Sequence, residues 1–171
     1  IEEKLDTFLE KNGIVLNQCQ YDALVSFSFN TGTTWMGSRL GELLIGDNYS
    51  INEFACAFGL YCHVTTVDGA SVLPLLVDRR IREIKLFLYG AYQPSDVSEK
   101  FCTLTFDAGE GSPETDIGFY LVGAPYQRLF GATPGEDNAP YFTGWGDSNG
   151  ERITASTIAS ENITVYAQYS D

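Results

Sequence analysis

The apolar residues between positions 20 and 32 recur at the spacing of a buried helix. The apolar stripe consists of Ala23, Leu24, Phe27 and Thr31, widened by Val25 and Phe29. Asn17 and Gln20 have the three-residue spacing of a capping box, and Gly32 stands where a residue in the left-handed conformation would end the helix. Because apolar residues cover almost every side, the pattern predicts a central helix that other helices surround.

Four further helices are predicted from the same period. They cover residues 1–12, 38–46, 50–58 and 73–90. Ser50 and Glu53 have the spacing of a second capping box. For the helix over residues 38–46, Ser38 is the expected N-cap and Gly46 the expected C-terminal residue. Pro74 suits the first turn of the last helix, where its missing N–H costs no helical hydrogen bond. This part of the chain is therefore predicted to be all-α.

The hydrophobic period changes from helical to alternating after this part. Alternation predicts strands at residues 101–107, 141–145 and 163–169. Residues 93–99 are rich in turn-forming side chains and predict a linker, and residues 59–71, where polar and β-branched side chains replace the helical period, predict a surface loop. The expected fold class is multidomain α plus β. A helical lobe, residues 1–92, is followed by a small β-rich domain, residues 100–171.

Two blocks of the helical part carry a resemblance to a known family. They are Tyr21-Asp22-Ala23-Leu24-Val25-Ser26-Phe27-x-Phe29-Asn30-x-Gly32 and Leu73-Pro74-x-Leu76-Val77-x-Arg79-Arg80-x-x-Glu83-x-x-Leu86-Phe87. In this order and at this separation they resemble the central and closing helices of the phage-type lysozymes, the endolysin family of glycoside hydrolases. The resemblance covers residues 1–92, with Leu75 and Asp78 in place of a usual Gly and a common basic residue. It implies a lysozyme-like all-α lobe that acts on the glycan strands of peptidoglycan.

The β-rich part resembles a second family. Its matching blocks are Leu104-Thr105-Phe106-Asp107-Ala108-x-x-Gly111, Gly123-x-Pro125-Tyr126, Phe142-x-Gly144-Trp145 and Thr164-Val165-Tyr166-Ala167-x-Tyr169. These blocks look like the internalin-B-type B repeat, also called the Listeria-Bacteroides repeat, of Gram-positive surface proteins. The resemblance implies a β-grasp-like fold and a secreted or cell-surface bacterial protein. It also implies a role as a spacer, in adhesion or in association with cell-wall components.

Glycoside hydrolysis needs a carboxylic acid that protonates the leaving oxygen and a second polar group that places water or stabilises the cation. The lysozyme resemblance implies a Glu, an Asp or Cys nine residues later and a Thr six residues beyond that, carried on a hairpin before the first long helix. Two pairs meet the first interval and fail the second: Glu10 with Cys19 and Glu53 with Cys62. No residue of the chain is therefore predicted to be the catalytic acid. The hairpin that carries it is expected to precede Ile1.

The resemblance does imply two site residues on the helical lobe. Asn30 matches a polar position that faces the substrate groove, and Arg79 matches an arginine that pairs with acidic groups near the catalytic hairpin. The residues alone leave a plainer alternative for Asn30, because a helix-terminal amide can hydrogen-bond its own backbone. Arg80, Arg82 and Glu83 are interpreted as helix surface, since consecutive charges usually mark a solvated face.

Composition excludes several partners and cofactors. Of the net charge of −13, −4 falls on residues 1–92 (7 basic and 11 acidic side chains) and −9 on residues 93–171 (3 basic and 12 acidic). Nucleic acid is therefore not an expected partner, and no apolar run reaches the ~20 residues that span a bilayer. The cysteines are Cys19, Cys56, Cys62 and Cys102. Without a Cys-x-x-Cys pair, and with His63 expected at the surface, neither a metal site nor a cofactor is predicted. The thiols are either free and buried or include one disulfide among the first three.

Three functions follow from these observations. In the first, the parent protein is a peptidoglycan N-acetylmuramidase, and this chain is its helical lobe with a wall-associated repeat, inactive alone because the catalytic Glu lies outside it. In the second, the chain is a non-catalytic cell-wall or adhesion module. In the third, it belongs to a structural surface protein whose lysozyme-like lobe is a relic. The order of the two lysozyme blocks favours the first.

Overall fold

The computed structural model describes residues 1–137 and 140–171 and divides the chain into two compact units. The first unit is Ile1–Glu99 and the second is Lys100–Asp171. Helices dominate the first unit and strands the second, so the described residues form an α plus β protein.

The first unit contains five α-helices, two 3₁₀ turns and one β-hairpin within the described residues. In chain order these are α1 (Glu2–Asn12), α2 (Gln18–Thr31), a 3₁₀ turn (Thr34–Gly37), α3 (Arg39–Gly46), α4 (Ile51–Gly59), β1 (His63–Thr66), β2 (Gly69–Val72), α5 (Pro74–Tyr89) and a second 3₁₀ turn (Pro94–Asp96). All five predicted helices are confirmed.

Both predicted capping boxes are present. At the start of α2 the Gln20 backbone N–H donates to Asn17 Oδ1 over 2.9 Å, and the Asn17 N–H donates back to Gln20 Oε1 over 3.0 Å. At the start of α4 the Glu53 N–H donates to Ser50 Oγ over 3.2 Å, and the Ser50 N–H donates to Glu53 Oε2 over 2.8 Å. Each box satisfies two backbone donors that a helix start leaves without partners.

The end of α2 differs from the prediction in two respects. Gly32 has φ +80° and ψ −164°, a positive φ that favours glycine but not the left-handed helical conformation. Phe29 is 78% exposed, so the helix is not covered on every side as its composition indicated. The prediction failed because apolar composition does not reveal which flank of a helix lacks a neighbouring element.

The predicted caps of α3 are also wrong in detail. The Ser38 hydroxyl donates to the Trp35 carbonyl over 2.7 Å and so ties the helix start to the preceding 3₁₀ turn. Gly46 lies inside the helix, and Asp47, in the left-handed conformation at φ +47°, follows its end. Asp tolerates this conformation better than most residues, which is why glycine is not required there.

The core of the first unit centres on Phe27 of α2. This side chain is fully buried, and its ring lies 4.5 Å from the ring of Phe58, 5.0 Å from Tyr61 and 6.1 Å from Trp35, measured between centroids. The Trp35 indole N–H donates to Ser28 Oγ over 2.9 Å, so the one polar atom of this buried ring is satisfied. The helices therefore surround the central stripe as its period predicts.

Residues 59–71 contain a hairpin rather than the predicted surface loop. Strands β1 and β2 pair antiparallel, with His63 opposite Val72 and Thr66 opposite Gly69. Two residues, Val67 and Asp68, connect them, and two-residue loops are the commonest hairpin connection. His63 is half-buried on β1.

The second unit is built on a five-stranded mixed sheet in the order β5-β3-β9-β7-β8. The strands of this unit are β3 (Phe101–Asp107), β4 (Ser112–Pro113), β5 (Ile117–Leu121), β6 (Ala132–Thr133), β7 (Tyr141–Gly146), β8 (Arg152–Ile153) and β9 (Ile163–Ser170). Only the pairing of β3 with β9 is parallel among the described ladders of this sheet. The three predicted strands, now β3, β7 and β9, are confirmed.

Three aromatic side chains of the second unit, Phe106, Phe130 and Trp145, pack together. The Trp145 ring packs edge-on against Phe106 at 4.9 Å, and its indole N–H donates to the Phe130 carbonyl over 2.6 Å. Phe106 also contacts the Phe130 ring at 5.7 Å. These contacts give the second unit a hydrophobic core of its own.

All four cysteines lie in described residues and none of them forms a disulfide, so the disulfide alternative is wrong. Cys19 is half-buried, whereas Cys56, Cys62 and Cys102 are buried. Burial raises the pKa of the Cys102 thiol to about 11. Since the thiolate is the reactive form, a buried thiol with a raised pKa reacts slowly.

We expect a water-soluble aryl disulfide reagent to modify Cys19 promptly in the folded protein at about pH 8, with the three buried thiols reacting only when urea unfolds the chain. Mass spectrometry of the labelled peptides identifies the modified residue. Rapid labelling of Cys102 without denaturant would contradict the burial described for β3.

Candidate functional site

The C-terminal half of α2 and the second and third turns of α5 meet through a set of polar side chains, which we name the α2–α5 polar cluster. Its members are Ser26, Asn30, Arg79, Arg80 and Glu83. A polar set is unusual between two helices whose neighbouring contacts are apolar. The cluster is therefore the candidate functional site of the first unit.

Arg80 is the centre of the cluster. Its side chain is fully buried, and its Nη2 donates to Asn30 Oδ1 over 2.8 Å. Its Nε lies 2.8 Å from Glu83 Oε2 in a close ion pair whose angles fall outside those of a hydrogen bond. The guanidinium carbon is 4.9 Å from the centroid of the Phe27 ring, within cation–π range. Burial lowers the pKa of Arg80 from its usual value, and the Glu83 carboxylate opposes that shift.

Glu83 holds the cluster together from the α5 side. Its Oε1 accepts from the Ser26 hydroxyl over 2.9 Å and from Arg79 Nε over 3.1 Å, and only 3% of the residue is exposed. Burial raises the pKa of the Glu83 carboxyl, while Arg80, Ser26 and Arg79 act in the opposite direction. The interpretation of Arg80 and Glu83 as helix surface is therefore wrong, whereas Arg82, which is exposed, does lie on the surface.

A buried carboxyl with a raised pKa is a common sign of a general acid, but Glu83 does not have the geometry of one. A general acid must come within hydrogen-bond reach of the substrate oxygen that it protonates. Both carboxyl oxygens of Glu83 face protein groups, and the residue is closed off from solvent. Its raised pKa follows from burial, so we assign Glu83 a structural role.

Arg79 is half-exposed and already has partners within the chain. Besides its bond to Glu83, its Nη2 donates to the Ser26 carbonyl over 3.0 Å. The carbonyl belongs to α2, so Arg79 joins the two helices at the edge of the cluster. Its expected pairing with acidic groups of a catalytic hairpin stays a prediction.

Asn30 is exposed at the C-terminal end of α2, with Arg80 as its hydrogen-bond partner. The plainer alternative, an amide that satisfies its own backbone, is wrong, because the amide oxygen accepts from a side chain of α5. The expected role of Asn30 in substrate binding stays a prediction.

The other candidate acids belong to helices that contribute nothing to the cluster. Glu10 is exposed on α1, and Glu53 takes part in the α4 capping box and lies 3.6 Å from Arg39. Within the described residues, no three or more His, Cys, Asp and Glu side chains form a group that could hold a metal ion.

Comparison with known proteins identifies a lysozyme-type segment within the first unit. Residues 1–83 match the family model for phage lysozyme. This lysozyme-type segment contains the central helix and the whole polar cluster, which ends at Glu83. No curated protein and no solved structure matches the chain. The resemblance of the helical part is thereby confirmed, whereas the B repeat stays a prediction.

The phage lysozyme match supports a lysozyme-type glycoside hydrolase function with peptidoglycan as the substrate. None of the helices in the described parts of the chain is long and apolar enough to cross a membrane. Sequence reasoning placed Asn30 and Arg79 at the site but missed Arg80 and Glu83, which connect them.

Proposed function

We propose that the lysozyme-type segment is one wall of the glycan cleft of a secreted peptidoglycan N-acetylmuramidase. Asn30 contacts the glycan strand in this proposal, and Arg79 supports the acidic groups of a catalytic hairpin that precedes the chain. The match of residues 1–83 to phage lysozyme is the observation that carries the proposal. The exposure of Asn30 at the end of α2, where the buried Arg80 donates a hydrogen bond to its amide oxygen, supports the proposal further.

In this proposal the catalytic acid lies on the hairpin upstream of Ile1. Cleavage of a glycosidic bond needs a carboxyl that reaches the leaving oxygen. Glu83 is sealed by its partners, Glu53 caps a helix and Glu10 lies on the outer side of α1. Residues 1–171 by themselves are therefore expected to be inactive.

The second unit is proposed to be a β-grasp-like B repeat of a Gram-positive secreted or surface protein. Leu104, Phe106, Trp145 and Val165 belong to the blocks that carry the resemblance, and all four are buried. Residues 93–171 carry −9 of the net charge, and a polyanionic wall repels such a surface. A spacer role is therefore proposed in preference to tight binding of wall components.

A second function is a non-catalytic cell-wall or adhesion module with a relic lysozyme-like lobe. The observation that favours it is that no glutamate of the sequence has the spacing of the family's catalytic acid. In this alternative the lobe contacts glycan without cutting it.

Turbidity clearing of muramidase-sensitive cell walls separates the two functions. Residues 1–171 should clear no walls, whereas the natural protein extended upstream should clear them, and Glu→Gln at the upstream acid should abolish that activity. If the extended protein retained its glutamate and still cleared no walls, the muramidase proposal would be refuted and the non-catalytic module with a relic lobe would be favoured. Clearing by residues 1–171 alone would overturn the placement of the acid; Glu10→Gln and Glu53→Gln would then locate it.

A further inference from the structure

The side-chain amide of Asn30 has only one possible orientation against Arg80. A guanidinium carries donors and no acceptor, so the atom that faces Arg80 Nη2 across 2.8 Å must be the amide oxygen. The amide nitrogen, with its two N–H donors, is then on the far side of the group. Within the described parts of the chain this nitrogen has no protein acceptor, and Asn30 is exposed. The surface at the end of α2 therefore offers donors.

Arg80 is suited to hold this orientation because burial and several contacts restrict its side chain. Its guanidinium is fully buried, paired with Glu83 at 2.8 Å and stacked over Phe27 at 4.9 Å. The planar fork of an arginine loses little freedom for each hydrogen bond that it forms. The Asn30 amide is thus ordered before any ligand arrives, which lowers the entropy cost of binding.

We propose that Arg80 is a positioning residue that fixes the Asn30 amide with its N–H donors outward, so that the site selects an uncharged acceptor oxygen, the acetamido carbonyl of an N-acetylated sugar. This rests on the proposed function of the segment as a glycan-binding wall. An anionic acceptor fits less well, because residues 1–92 themselves carry a net charge of −4 and so do not attract anions over long range. Arg80 acts through Asn30 and does not touch the sugar.

Asn30→Asp tests the donor role while keeping the contact with Arg80. The carboxylate still accepts from Arg80, and more strongly, but it has no N–H to offer. The probes are tri-N-acetylchitotriose and cellotriose, which is also neutral and carries a hydroxyl in place of each acetamido group. In NMR titrations we expect the wild type to bind the acetylated trimer about tenfold more tightly than cellotriose. Asn30→Asp should lose that preference without any fall in the thermal midpoint.

A second measurement tests Arg80 itself without relying on a ligand. The heteronuclear ¹⁵N NOE of the Asn30 side-chain amide should show that this group is as rigid as the backbone. The side-chain amide of Asn48, an exposed asparagine of the same unit, should be more mobile. Arg80→Lys retains a charge beside Glu83 but lacks the fork that reaches both partners. This variant should make the Asn30 amide as mobile as that of Asn48 and reduce the preference for the acetylated trimer.

The outcomes separate this inference from the proposed function. An Asn30→Asp variant that keeps the preference, or a wild-type Asn30 amide as mobile as Asn48, overturns the positioning role and leaves the lysozyme proposal standing. A wild type that does not bind the acetylated trimer also overturns the inference. The lysozyme proposal is decided independently, by clearing of cell walls with the extended protein.

Discussion

Replacing Glu83 by alanine is expected to lower the free energy of unfolding of the first unit by about 3–5 kcal/mol. The change leaves the fully buried Arg80 guanidinium without its counter-charge and removes the acceptor of the Ser26 hydroxyl. A buried charge deprived of its partner costs far more than the net contribution of the pair. The effect should therefore be among the largest of any single substitution in this unit.

Urea unfolding followed by the fluorescence of Trp35 measures this loss. The chain has two tryptophans, so a Trp145→Phe background confines the signal to the first unit. Arg82→Ala is the matched control, because Arg82 is the exposed neighbour of Glu83 on the same helix, and its cost should stay within about 0.5 kcal/mol. A double variant with Arg80→Met and Glu83→Leu should recover most of the stability. A loss below about 1 kcal/mol for Glu83→Ala would show that the pair is not buried as described.

Phe27→Ala is expected to destabilise the first unit by about 3–5 kcal/mol, the cost of emptying a large aromatic site in a packed core. The ring contacts Phe58 and Tyr61 and lies under the Arg80 guanidinium, so no single neighbour can fill the space. The same fluorescence measurement applies.

Phe29→Ala provides a control with the same chemical change two residues further along α2. The Phe29 side chain is 78% exposed, so its removal should cost no more than about 0.5 kcal/mol. Equal losses for the two variants would contradict the assignment of Phe27 as the centre of the core.

The helices could be predicted from sequence because their signals are local. The Asn17 and Ser50 capping boxes lie within three residues of each helix start, and the structure contains both. The fate of Phe29 could not be predicted in this way. Whether an apolar residue is covered depends on which elements pack beside the helix, and spacing along one helix does not contain that information.

The β1–β2 hairpin escaped prediction because its strands are short and its exposure does not alternate. Its signals were present, since Val64, Thr65 and Thr66 are β-branched and Asp68-Gly69 is a turn pair. Four-residue strands with so few apolar residues are also typical of loops. Only their pairing, which forms across the turn, distinguishes the two.

The burial of Arg80 and Glu83 on α5 was not predicted, because both side chains are charged. The helical spacing of the apolar residues beside them indicates it. Arg80, Glu83, Ile84 and Phe87 lie at the i, i+3, i+4 and i+7 positions of one helical face, and all four are buried. Charged side chains were interpreted as solvated, although opposite charges three residues apart can pair and be buried together. Asn30 and Arg79 were located through a resemblance, and their link through Arg80 required coordinates.

The reducing ends released from peptidoglycan by the extended protein test the central claim most directly. An N-acetylmuramidase cuts so that each new reducing end carries N-acetylmuramic acid, which mass spectrometry of borohydride-reduced products identifies. We predict new reducing ends with muramic acid from the extended protein and no new reducing ends from residues 1–171. New reducing ends that carry N-acetylglucosamine, or release of stem peptides with the glycan intact, would contradict the assignment.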